Sequence, residues 1–146
     1  MSEQVHDNPT GWVAKDIRRY VESGGRKHRF YGHDTLLLTS RGRRTGKLRR
    51  TPLFYGRDGD RYVLVGSNGG TRTHTAWYFN VLDNPAVVVQ LRDETFPAIA
   101  RPATANERPR LWDMMVAQVP QYAGYQKRLR RELPVVLLER VDTLTA

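Results

Sequence analysis

The chain has no cysteine. Thiolate nucleophiles, disulfides, iron–sulfur clusters and cysteine-based zinc sites are all excluded, and a reducing compartment suits such a protein without being required. The four histidines, His6, His28, His33 and His74, show no ligand spacing, so no metal site is expected. No nucleophile-elbow signature is present, which leaves Ser/His/Asp catalysis without support. Long apolar runs are missing too. Stretches such as Leu36–Leu38 fall far short of the roughly 20 residues a spanning helix needs. The opening residues lack the basic and apolar regions of a secretory leader, so a cytoplasmic protein is expected.

Acidic residues are also scarce, with 15 Asp and Glu against 24 Lys and Arg and a net charge of +9. The surplus is local. Residues 41–50 hold six cations and no acid, which leaves only +3 for the rest of the chain; Lys127, Arg128, Arg130 and Arg131 make a second patch. A basic surplus points first to nucleic acid. The main patch lacks the interleaved aromatics on which single strands stack, so a nucleic-acid-binding module stays an alternative and no nucleic acid is expected.

With 146 residues the chain is long enough for one compact domain without a staple. Trp12, Val13, Ile17, Tyr20 and Val21 recur near helical spacing between Asn8-Pro9-Thr10 and Gly24-Gly25, which predicts a leading helix, and Arg26–Arg29 read as an exposed connector. Residues 35–40, 50–56 and 61–67 read as three strands of an antiparallel meander, with Asp58-Gly59 as a hairpin turn. Residues 75–82 form a helix, and 86–91 a strand. Pro97 inside residues 95–100 predicts an edge or bulged strand. Thr104 and Glu107 have capping-box spacing before a helix over about 105–118; a further helical piece spans 120–131, and residues 134–140 close as a strand. About six strands with late helices imply an α+β fold built on a small six-stranded antiparallel barrel with flanking helices. Residues 1–30 are read as N-terminal helix and connector, and 31–146 as a single ligand-binding domain.

Three segments offer chemistry. Residues 42–47, Gly-Arg-Arg-Thr-Gly-Lys, superficially suggest a phosphate-binding P-loop, but the glycines are one residue too close and Leu48 stands where a hydroxyl is required. What remains is a glycine-hinged cationic loop whose guanidinium forks suit a multiply charged anion; a solvated surface loop is the plain alternative. Ser67-Asn68-Gly69-Gly70, between a strand and a helix, would let a ligand approach backbone closely or simply turn the chain. Trp77, Tyr78, Tyr122 and Tyr125 suit ring stacking or proton donation, or ordinary core packing.

Taken in order over residues 35–140, these segments resemble the deazaflavin-dependent nitroreductase family. The likeness rests on Leu37–Gly46 with Arg49 and Pro52-Leu53, Asp58-Gly59, Ser67–Gly70, Trp77-Tyr78 with Asn80, Asn84-Pro85, Ala103-Thr104 with Glu107-Arg108, Tyr122 and Tyr125, and Pro134–Val136. The resemblance implies a split β-barrel related to flavin-mononucleotide-binding oxidoreductases, with deazaflavin coenzyme F(420) as hydride carrier to an apolar acceptor such as a quinone or nitro compound. It implies that Arg43, Arg44 and Arg49, with Thr45 and Gly46 in their loop, hold phosphate and tail carboxylates. Leu53, Ser67, Asn68, Gly69, Gly70, Ala76, Trp77 and Asn80 would line the ribityl and ring portion. Tyr122 and Tyr125 would orient substrate and donate a proton. Asn68 departs from a common lysine, His74 and Thr75 depart from the usual stretch before Trp77, and Val119 stands where members reducing bulky nitroimidazoles carry tyrosine. A non-catalytic deazaflavin carrier and a flavin-mononucleotide-dependent reductase are the other readings. The oligomeric state, monomer or homodimer, and a contact of the leading helix with a membrane surface stay open.

Overall fold

The structure, a computed structural model, describes residues 3–142. Its elements in chain order are β1 (Val5–Asp7), α1 (Gly11–Glu22), β2 (Arg29–Phe30), β3 (His33–Arg41), β4 (Leu48–Phe54), β5 (Gly56–Asp58), β6 (Arg61–Val65), α2 (Ala76–Asp83), β7 (Ala86–Leu91), β8 (Glu94–Pro102), α3 (Arg108–Gln118), α4 (Gln121–Arg128) and β9 (Val135–Arg140). The strands run β1-β4-β3-β7-β8-β9-β6-β5, with β2 paired to β3 off this path. The fold is α+β with a large sheet and flanking helices. The expectation of six strands is corrected to nine. The additional strands β1, β2 and β5 are two or three residues long, too short to leave a periodic signal.

The sheet is not closed by hydrogen bonds, although it coils far enough for β4 and β6 to approach. The expected three-strand meander is also corrected. The β3–β4 hairpin forms, but the chain then leaves at Tyr55, and β5–β6 joins the sheet's other end through β9. Alternation of side chains explains why. Leu36 and Leu38, Leu64, and Val136 and Leu138 point into the inner core, whereas Leu37 meets α1, and Val63, Val65, Val135 and Leu137 meet α3 and α4. Strands buried on both faces read as unbroken apolar runs, and β6 and β9 satisfy each other as neighbours.

β8 is an interior strand between β7 and β9, contrary to the edge position that Pro97 suggested. Pro97 pairs with Val88, and its carbonyl accepts from Val141 N on the β9 side at 3.1 Å. The missing N–H therefore faces the end of β9 and costs no bond to β7. Pro52 in β4 is tolerated similarly, since β1 stops opposite Arg50.

Helix α1 seats Val13, Ile17 and Tyr20 on Leu37 and Phe30. Full burial of Ile17 and Tyr20 stabilises by about 2 kcal/mol each. Tyr20 Oη also donates to Thr35 O at 2.9 Å and accepts from Arg92 N at 2.8 Å. Gly25 ends this segment at φ +80, where an added Cβ would lie 1.9 Å from Arg92 O. Near the other end, Glu107 accepts from Thr104 N and Thr104 Oγ1 accepts from Glu107 N, so the capping box forms ahead of α3.

Candidate functional site

A cleft of about 1040 Å³ runs between the β3–β4 loop, the start of α2, the 67–75 loop and α4. Thirteen expected site residues line it: Arg43, Arg44, Thr45, Arg49, Leu53, Ser67, Asn68, Gly69, Ala76, Trp77, Asn80, Tyr122 and Tyr125. Gly46 and Gly70, also expected in the site, stand just behind its wall rather than on it. Gly46 shapes the cationic loop at φ +71, its N–H donating to Gly42 O at 2.8 Å. Gly70, at φ +80, gives way to Tyr125: a Cβ there would lie 2.6 Å from the phenol ring. Val119, the position expected to bear on acceptor size, is fully buried among α3 and α4 side chains and absent from the lining.

Tertiary contacts sort the six cations of residues 41–50. Arg41 pairs with Glu3 at 2.8 Å and Arg50 with Asp7 at 2.6 Å. Arg43, Arg44, Lys47 and Arg49 have no carboxylate partner among the described residues. Three of these four line the cleft. The Arg43 guanidinium lies 4.3 Å from the Phe79 ring centroid, which orients it without neutralising it.

Asn80 positions this loop. Buried beneath it, the side chain accepts from Arg43 N at 3.1 Å through Oδ1 and donates to Ser40 Oγ at 3.4 Å. Its amide is thus committed to the loop backbone. Asn68 is occupied likewise, donating to Thr73 O at 3.1 Å, and its φ of +49 suits asparagine better than lysine.

Arg131, read from sequence as part of a basic patch, is instead a clamp. It donates to Ser67 O at 2.8 Å, to Thr71 O at 2.9 and 3.0 Å, and to Gly66 O at 3.3 Å, and it meets His74 Nδ1 at 3.1 Å. These bonds fix the loop carrying Ser67–Gly69. No local pattern distinguishes Arg131 from its neighbours.

The opposite part of the cleft is apolar, with Pro52, Leu53, Val65 and Trp77 on its walls. Trp77 is 6 % exposed, and its Nε1–H is buried without a partner. Burial, reinforced by Tyr125, pushes the Tyr122 phenol well above its ordinary pKa, which makes it a neutral hydrogen-bond donor and a weaker acid than a free tyrosine. Tyr125 sits under the Arg128 guanidinium at 5.5 Å. The N-terminal segment supplies lining that sequence reading did not anticipate: Thr10, Trp12, Val13, Asp16, Phe30 and Tyr31. Trp12 and Tyr31 are 60 % and 66 % exposed and meet edge-on at 5.9 Å.

A partly apolar, aromatic-walled slot adjoining guanidinium groups that have no carboxylate partner among the described residues suits a ring attached to a chain of anions. The comparisons agree. The family model described as F(420)H(2)-dependent quinone reductase matches residues 12–140. The chain belongs to that family. It is 37% identical over 109 residues to the F(420)H(2)-dependent quinone reductase Rv1261c of Mycobacterium tuberculosis, covering 73% of each chain. A solved F(420)-H(2) dependent reductase, FDR-A, shares 39% identity with a TM-score of 0.67, over 72% of this chain and 93% of that one. A structure described as a domain-swapped dimer shares 36% identity with a TM-score of 0.70, over 90% and 100% of the two chains.

Proposed function

We propose that this chain reduces a quinone, or a similar apolar acceptor, with the reduced deazaflavin coenzyme F(420). The observation that carries the reading is the cleft itself, in which three unpaired arginines adjoin an apolar, aromatic-walled slot. Bound in that slot, the coenzyme supplies the hydride. The remaining work falls to the protein. Arg43, Arg44 and Arg49 hold phosphate and carboxylate oxygens, with Thr45 and the Gly46 turn setting the loop. Leu53, Ala76 and Trp77 pack along the ring, and Ser67, Asn68 and Gly69 bring backbone close to it. The Tyr122 hydroxyl, neutral at pH 7 as an ordinary phenol is, can donate a hydrogen bond and then a proton to an acceptor oxygen as its charge develops, while Tyr125 orients the acceptor. Trp77 and Tyr122, the buried members of this wall, keep water from their own part of it.

Flavin mononucleotide carries a single phosphate and would use fewer cations than the loop presents, which favours the deazaflavin. We read the open, coiled sheet as a split β-barrel. A quinone acceptor also gives a reason for the exposed Trp12 and Tyr31 at the cleft mouth beside Lys15 and Arg19: aromatic side chains and cations together suit a brief contact with an anionic membrane surface from the cytoplasmic side. No helix among the described residues is long and apolar enough to cross a membrane.

The test is titration of the protein with oxidised and reduced F(420), followed by acceptor assays with short-chain quinones and nitroaromatics. Binding that weakens with salt and with Arg43→Ala or Arg44→Ala, together with quinone reduction, supports the reading. Absence of binding at low salt overturns it. Tight binding with no reduction of any acceptor would favour a coenzyme carrier.

A further inference from the structure

His74 lies on the loop before α2 and lines the cleft, yet no role follows for it from the proposed reaction. Its Nδ1 faces Arg131 Nη1 at 3.1 Å. A guanidinium only donates, so Nδ1 must be the acceptor, and the ring proton resides on Nε2. The same guanidinium is anchored by the carbonyls of Ser67, Thr71 and Gly66, which denies it freedom to turn away. Protonating Nδ1 would set two donors and two positive charges against each other. Burial, and secondarily the Arg131 charge, hold the imidazole below its ordinary pKa.

The Nε2–H has no protein partner among the described residues. The imidazole packs at 5.0 Å from the Tyr78 ring and edge-on to Phe79 at 5.7 Å. Phe79 is also the ring beneath the Arg43 guanidinium. One aromatic side chain thus carries His74 and Arg43 as neighbours, which places His74 on the cationic side of the cleft.

We infer that His74 is a further coenzyme-binding residue, presenting a neutral Nε2–H donor to an anionic oxygen of the coenzyme's phosphate-bearing chain, with Arg131 as the positioning residue that sets its tautomer. The inference rests on the deazaflavin reading. It assigns His74 a polarity opposite to that of an imidazole accepting through Nε2, and it separates the roles of two basic side chains: Arg131 organises the wall, and Arg43 contributes charge.

Two measurements test this. Nitrogen-15 NMR of histidine-labelled protein without ligand should show His74 neutral at pH 7, protonated at Nε2, and shifted to the other tautomer or to a mixture in Arg131→Gln. Fluorescence titration with oxidised F(420) should then give about tenfold weaker binding for His74→Phe, with recovery in His74→Gln, whose amide N–H reaches the Nε2 position. Thermal midpoints of both variants, compared with wild type, identify any loss of folding; the Gln variant keeps the comparison informative if the Phe variant is unstable. An Nδ1–H tautomer, or equal coenzyme affinity of wild type and both variants, overturns the inference. Failure of the wild-type protein to bind F(420) would defeat the underlying functional reading, and the NMR result would still report the tautomer independently.

Discussion

Replacing Asn80 with alanine should damage both the fold and the coenzyme site. Asn80 is 6 % exposed, and its amide joins α2 to the cationic loop through Arg43 N and to β3 through Ser40 Oγ. The substitution removes two hydrogen bonds worth about 1 kcal/mol each, and it leaves the Arg43 N–H without its acceptor. A loss of about 2 kcal/mol corresponds, for a domain of this size, to a fall of about 4–8 °C in Tm. The consequence for binding differs from that of removing charge. Arg43, Arg44 and Arg49 all persist in the variant, but the loop must be ordered on binding, so a tenfold fall in its competent population raises Kd about tenfold. Differential scanning calorimetry and coenzyme titration at two salt concentrations measure the two effects. Arg43→Ala should show the complementary behaviour, with a nearly unchanged Tm and a flatter salt dependence. If Asn80→Ala lowers Tm yet binds F(420) as tightly as wild type, loop preorganisation contributes nothing and that part of the reasoning fails. An unchanged Tm would show that the Asn80 bonds to Arg43 N and Ser40 Oγ carry no weight.

Gly25→Ala should destabilise by about 3 kcal/mol or prevent folding, because the new Cβ meets backbone at Arg92 and the φ of +80 is itself unfavourable; urea unfolding measures this. Gly124→Ala in α4 should stabilise by about 0.5–1 kcal/mol in the same assay, since the position is helical and nothing lies within 4 Å. Stability should fall in acid. Hydrogen bonds from Arg110 and Arg61 lower the Asp58 pKa, those from Arg101 lower Glu107, and at Asp34 bonds from Tyr55, His28 and Arg92 outweigh an opposing burial effect. Depressed folded-state values mean that the stabilisation is fully present above the ordinary carboxyl range and is lost as pH falls through the lowered values. Asp34→Asn should flatten the acid limb of a Tm-against-pH curve. Tyr122→Phe should lower kcat for quinone reduction by about 10- to 100-fold with little change in coenzyme affinity, whereas equal turnover would remove Tyr122 as proton donor.

Much of the architecture can be read locally. The α1 boundaries follow from Asn8-Pro9-Thr10 and the two glycines, the capping box marks the approach to α3, and β7 falls where its β-branched run lies. The cationic loop and the Ser67–Gly70 turn are equally visible, because glycine spacing and charge density are properties of adjacent residues. Short β1, β2 and β5 escape notice since two or three residues show no period. Pro97 misleads because its cost depends on which neighbour its nitrogen faces, and that is a matter of register with β9.

Composition and local pattern alone establish an α+β chain without thiol chemistry, a concentrated positive loop, and the small and aromatic residues suited to a ring. Which cations remain available is decided only in three dimensions, where Arg41 and Arg50 find Glu3 and Asp7 across more than 35 residues of chain while Arg43, Arg44 and Arg49 are left facing the cleft. The duties of Asn80, Arg131 and His74 arise in the same way, since a hydrogen bond has a direction and a partner, and neither is written in the residues next to it.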